Sequence, residues 1–141
     1  MLERILKLQF IPSSNDWGML ALRLGICGSL FLKHGYEKIF TFSQMAVNFP
    51  DPLHIGSTPS LICALIGDSV CSLLIVVGLA TRLSALYSLS VILVAWGIVH
   101  HFIYFPHSAD HGQVCWLYIA GLIPILIAGP GRFSIDFLLK D

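Results

Sequence analysis

Apolar residues in this chain come in long runs, not at the three- and four-residue spacing of a soluble amphipathic helix. Four runs approach or reach the roughly 20 residues a helix needs to cross a bilayer core. They predict helices over about 17–40, 60–79, 83–102 and 113–129. In the first, the apolar stretch 17–32 gives way to polar residues while the helix continues. Lipid offers the backbone no hydrogen-bond partners, so spans of this kind must be helical.

The punctuation between runs fits these limits. Asp16 is placed to cap the first helix, and Thr58 stands just before a proline, Pro59, at a first helical position. Gly129, Pro130 and Gly131 stop the fourth. The link 80–82 is short, so the second and third spans are expected to form an antiparallel hairpin. The predicted fold is all-α: an integral membrane four-helix bundle, antiparallel up-down, in a single domain over 1–141. The stretch 1–16 lacks the apolar core of a cleavable signal, so the first span is expected to act as an uncleaved anchor.

Charge sets the orientation. With four crossings, both termini share a side with the Arg82 turn. That side collects Arg4, Lys7, Arg82, Arg132 and Lys140, against Lys33 and Lys38 on the other. The positive-inside rule then places both termini in the cytoplasm. The external loop 41–58 carries Pro50, Pro52 and aromatic residues and is expected to lie at the interface as a cap. Trp17, Trp96, Trp116 and Tyr104 are expected anchors in the headgroup zone. Composition agrees: of 141 residues, 56% are hydrophobic and 11% charged, where soluble domains carry roughly a quarter charged. The net charge of zero gives no basic field for nucleic acid.

Against this background the ionisable residues stand out. Arg23 and Asp68 each sit alone in an apolar run, where an ion costs roughly 3 kcal/mol on insertion scales. At 1.5 Å per residue they lie about 9 Å and about 12 Å inside their spans, from opposite sides, and an ion pair between them is expected. The external end of the first helix carries Lys33, His34, Glu37 and Lys38, the third ends in His100 and His101, the next loop adds His107, Asp110 and His111, and Gln113 opens the fourth. Alternating helix directions gather His34, Lys38, Asp68, His100 and Gln113 in one half of the bundle, where bundles build ligand sites. The plainer reading keeps Glu37, Lys38, His107 and His111 as wetted loop residues, Lys33 as a snorkelling lysine, and Arg23 with Asp68 as a structural pair.

Other chemistries find less support. His100 and His101 are adjacent, so a helix points them about 100° apart. No H-E-x-x-H or C-x-x-C occurs, and no metal site is expected. Cys63 and Cys115 fall near external helix ends and would pair only if their helices touch. Otherwise they and Cys27 and Cys71 are small packing residues. Gly25, Gly28, Ser29 and Gly97 read as helix-packing positions. No nucleophile–base pair or phosphate-cradling loop appears.

Four sequence pieces, in order on the four spans, resemble the DoxX family. The first is RLGICGSLFLKHGYEKIF, with an H-G-x-x-K ending at His34, Gly35 and Lys38. The second is GDSVCSLLIVVGLATRLSAL, where an acid and G-x-x-T-R-x-x-A fall on Asp68, Gly78, Thr81, Arg82 and Ala85. The third is the helix ending in His100, and the fourth is GPGRFSID, similar to G-x-G-R-[YF]-S-x-D at Gly129, Gly131, Arg132, Phe133, Ser134 and Asp136. The chain departs from the family where Asp68 stands for a usual glutamate, where Cys71 and Ser72 replace a glycine pair, and where Gln113 holds a place often taken by glutamate.

The resemblance implies a multi-pass protein of the bacterial cytoplasmic membrane, comparable to the small subunit of thiosulfate:quinone oxidoreductase or to members of redox-stress complexes. It implies a quinone-like ligand, no intrinsic cofactor, and electrons from a partner oxidoreductase subunit, with a homo-oligomer as the other assembly. His34, Lys38 or His100 would hydrogen-bond the ligand, Asp68 would tune their charge, and Arg23 would hold Asp68 ionised. The alternatives are a non-catalytic scaffold or assembly protein and a small-solute permease, for which four short helices leave little room.

Overall fold

The computed structural model describes residues 14–102 and 112–139. The described residues contain helices and turns and no strand. Helix α1 covers 15–40 and runs unbroken through two π-helical segments, Arg23–Cys27 and Phe31–Gly35. A short α2, Phe42–Asn48, and a turn lead into α3, Ser57–Val77. Then come α4, Thr81–Val99, α5, Gly112–Ala128, and a terminal turn α6, Ile135–Leu138. Helices α3 and α4 are long and apolar enough to cross a membrane.

The termini of these helices are capped differently from the sequence expectation. Ser14, not Asp16, caps α1, its hydroxyl accepting the Trp17 amide at 3.5 Å. Asp16 instead accepts the Arg132 amide at 2.9 Å, which ties the start of α1 to the chain after α5. Helix α3 begins at Ser57, one residue before Thr58, after Gly56 at φ 105°. Its entry is held by Asp51, which accepts the Ser60 hydroxyl at 2.8 Å and the Gly56 and Ile55 amides at 2.7 and 3.0 Å. The Ser60 hydroxyl first, then those amides, keep the Asp51 carboxyl below the usual carboxylate range. The turn to α4 spans Gly78 and Ala80, both left-handed, and α4 starts at Thr81. Gly129 and Gly131, also at positive φ, follow the end of α5 as expected.

Apolar side chains are not confined to the interior, and polar ones are not confined to the surface. Large apolar groups face outward, among them Leu32, Leu83 and Ile127, each at least 70% exposed. The interior holds Leu30, Ile75, Leu89, Ile92, Leu122 and Ile125, but also Arg23, Lys38, Asp68, Ser69, Ser72, Thr81, Ser84 and Ser88. Three of the serines bond to backbone carbonyls: Ser88 and Ser72 donate to that of Gly67 at 2.8 and 3.2 Å, and Ser69 to that of Gly35 at 3.1 Å. Close approaches between the long helices include those at Gly35, Gly67 and Gly121. A Cβ at Gly35 would sit 2.5 Å from the Asp68 carbonyl oxygen, and one at Gly121 2.6 Å from Ile26. Gly25 and Gly28, expected at helix contacts, face open space: a Cβ added at either would meet nothing within 4 Å. Ser29 is exposed, and Gly97 faces the Phe102 ring.

Candidate functional site

The H-G-x-x-K segment of α1 brings two chemically different residues to α3. Gly35 lets the helices touch, and one turn later Lys38 reaches across to Asp68. The Lys38 ammonium meets Asp68 Oδ2 at 2.8 Å, with both side chains 10% exposed. Lys38 is therefore a buried helix residue, not a wetted loop lysine.

This pair borders a cavity of about 610 Å³, within the range of small-molecule sites. His34 and Glu37 of α1 and His100 at the end of α4 share its wall with Lys38 and Asp68. Tyr118 lies under His34, the rings edge to face at 5.8 Å. Cys63 and Cys115, which form no disulfide with each other, border the same space from α3 and α5. Most of the rest of the lining is apolar, with Leu30, Val91, Ile92, Val99 and Val114 from the long helices and Met45, Phe49, Pro52 and Leu53 from α2 and its following turn, beside the hydroxyls of Ser60, Tyr87 and Ser90. Asp51 thus orders the segment that covers the cavity. Three π-helical segments adjoin the space: Phe31–Gly35 contains His34, Ile66–Cys71 contains Asp68, and Ala95–Val99 precedes His100. Such widened turns recur at functional sites because they redirect side chains that a regular helix would stack.

Two of the expected site residues lie elsewhere. Gln113 is exposed and does not border the cavity. Arg23 does not meet Asp68. Its guanidinium donates to the carbonyls of Pro130, of Phe133 at 2.7 Å and of Val76 at 3.3 Å. Val76 is two turns beyond Asp68, about 12 Å along α3, out of reach of a shared ion pair. The buried cation is compensated by carbonyls that the chain cannot pair within helices.

Around Arg23 the two family-like motifs close on each other. Asp136 accepts the Ala80 and Thr81 amides at 2.7 and 2.8 Å, capping α4 from 55 residues away, and returns its own amide to the Gly78 carbonyl at 2.8 Å. Burial opposes ionisation of Asp136, but the Thr81 and Ala80 amides and the Arg23 charge outweigh it and hold the carboxyl below its usual range. Gly78 is obligatory here: a Cβ would lie 2.5 Å from that of Ser134 and 2.9 Å from the Arg23 guanidinium, at φ 78°. Both motifs are visible in the sequence, but their joining into one latch is not. The available signal is a capping Asp in one motif and, in the other, a helix start with no capping side chain of its own.

Among the described residues no group of three or more His, Cys, Asp or Glu side chains converges as a metal site would. His107, Asp110, His111 and Tyr104, and the orientation-setting Arg4, Lys7 and Lys140, lie outside the described residues, as does most of the stretch 1–16.

No curated protein and no solved structure matches the chain. The DoxX family model matches residues 18–101, which takes in the Lys38–Asp68 pair, the Gly78–Arg82 turn and His100. That match covers more than half of the sequence, and the chain belongs to the DoxX family.

Proposed function

We propose that this DoxX-family protein crosses the bacterial cytoplasmic membrane as an antiparallel bundle of α1, α3, α4 and α5, with both termini inside. In that setting it binds a quinone-like amphipathic molecule as the membrane subunit of a quinone-linked oxidoreductase. The side-chain distribution supports the bilayer setting, since large apolar groups on the outside and polar groups buried among the helices suit lipid. Burial of Lys38 removes it from the external loop cations, which leaves Lys33 alone on that side and sharpens the charge asymmetry.

The observation that carries the ligand reading is the cavity itself: a mostly apolar space with His34, Lys38, Asp68 and His100 on its wall. The combination suits a ring with carbonyl oxygens and an apolar tail. Lys38 gives one N–H to Asp68 and has two more to offer. Either histidine is able to donate a hydrogen bond to a carbonyl oxygen. Asp68 pairs with the ammonium and offers a second acceptor for a proton in transit. The chain has no motif for flavin, haem or an iron–sulfur cluster, so electrons are assigned to a partner subunit.

The test is binding of a short-chain ubiquinone or menaquinone to purified full-length protein, read by thermal stabilisation and by extraction of co-purified quinone. Stabilisation in the wild type and its loss in His34→Ala and His100→Ala variants support the reading. No retained quinone and no stabilisation at saturating ligand overturn it. The second reading, a scaffold, draws on the same Lys38–Asp68 pair, which also locks α1 against α3. Asp68→Asn and His100→Ala separate the two. A scaffold loses partner assembly, whereas a ligand site keeps assembly and loses quinone-linked electron transfer.

A further inference from the structure

The quinone reading leaves one part of the family-like pattern unexplained: the arginines Arg82 and Arg132. They flank a second cavity of about 470 Å³, between the α3–α4 turn and the segment after α5. Two carboxylates also border it, but both are engaged. Asp136 accepts two amides, and Asp16 accepts the Arg132 amide. Among the described residues neither guanidinium forms an ion pair. Arg82 donates one bond to the Ile127 carbonyl at 3.1 Å, and Arg132 lies 5.8 Å over the Phe137 ring. Most of their donors therefore remain for an oxyanion, and the planar fork of a guanidinium fits phosphate in two-point contact.

We infer that this cleft holds the phosphate of an anionic phospholipid headgroup between Arg82 and Arg132. The neighbouring surface favours a lipid over a soluble anion. Leu83, 71% exposed, borders the cleft, and Ile127, Leu86 and Ile123 continue an exposed apolar track on α4 and α5 that an acyl chain would follow. Phosphate at the mouth and hydrocarbon along the helices is the layout of a headgroup pocket on the cytoplasmic face. The inference rests on the bilayer topology proposed above and not on the quinone, so the loss of either ligand leaves the other testable.

The experiment compares phosphatidylglycerol with phosphatidylcholine of the same acyl chains, bound to full-length protein in mixed micelles and read by native mass spectrometry and thermal shift. Phosphatidylglycerol is expected to bind more tightly, less so as salt rises from about 50 to 500 mM, because the contact is screened. Each arginine removed, in Arg82→Gln or Arg132→Gln, lowers that affinity about five-fold. Arg82→Lys with Arg132→Lys keeps most of the preference. Equal binding of the two lipids, a preference insensitive to salt, or unchanged affinity in both Gln variants overturns the inference. Inorganic phosphate that stabilises the protein as well as the lipid does also overturns it, since the site would then take a soluble anion. If the Gln variants fail to fold, the salt series on the wild type decides.

Discussion

Lys38 and Asp68 form a buried pair at 2.8 Å with a tenth of each side chain exposed, and cutting it from one side at a time should have a large, non-additive effect. Lys38→Met leaves a carboxylate, and Asp68→Leu an ammonium, in a site built for a neutral sum. Loss of one partner from a buried pair costs about 3–5 kcal/mol. Here both residues border the 610 Å³ cavity, and any water in it would partly solvate the orphan, so the lower end applies. About 3 kcal/mol shifts the unfolding equilibrium on the order of 100-fold. Removing both charges together replaces the pair with apolar groups and should leave stability within about 1 kcal/mol of wild type. The coupling energy in the four-way cycle is then about −6 kcal/mol. Equilibrium unfolding in mixed micelles measures it. A double variant destabilised by the sum of the singles, about 6 kcal/mol, would show that the two side chains stabilise the bundle separately and would refute the reasoning. The folded double variant also tests the site, because it should keep the helix packing yet lose quinone-dependent stabilisation.

Three further outcomes follow from the geometry. Gly35→Ala places a methyl 2.5 Å from the Asp68 carbonyl, so α1 and α3 must separate. The expected cost is about 1–3 kcal/mol in thermal unfolding, with weakened ligand binding because Lys38 moves away from Asp68. Arg23→Lys should destabilise nearly as much as Arg23→Met, about 3 kcal/mol, since one ammonium does not span carbonyls contributed by residues 76, 130 and 133. Limited proteolysis after residue 129 would report the released segment. Asp136→Asn weakens the α4 cap by about 1 kcal/mol at neutral pH. The carboxyl is held below its ordinary value in the folded protein, so its contribution is present above the unfolded value of about 3.9 and fades as the pH falls through the lower folded one. The melting-temperature gap to wild type should therefore close below about pH 4, and a gap constant from pH 7 to pH 3 would exclude the carboxylate as its source.

The α3–α4 turn, the stop after α5 and the meeting of His34, Lys38, Asp68 and His100 are legible in the sequence, for related physical reasons. Runs of apolar residues fix where helices lie, and alternating helix directions then fix which ends are neighbours, without knowledge of any contact. The pairing within that group is not legible in the same way. Arg23 reads as the partner of Asp68 because a sequence displays side-chain charges and hides backbone acceptors. In the folded chain the carbonyls at the end of α3 and in the 129–134 segment compete for a buried guanidinium, and three convergent acceptors outweigh a carboxylate two turns away. Once Arg23 is taken, Asp68 needs another cation. Gly35 supplies it indirectly, by letting α1 approach until Lys38 reaches across. Gln113 fails as a site residue for a different reason. Its position in the chain is at the correct level of α5, but level alone does not set azimuth, and the side turned inward there carries Val114, Cys115 and Tyr118 instead. The buried charges thus sort into two ends of one molecule: a closed latch of Arg23, Gly78 and Asp136 that holds the helix ends, and a paired Lys38–Asp68 beside an accessible space. Only the second has donors left to offer a ligand in that cavity, which is why the quinone reading attaches there and not to the more deeply buried arginine.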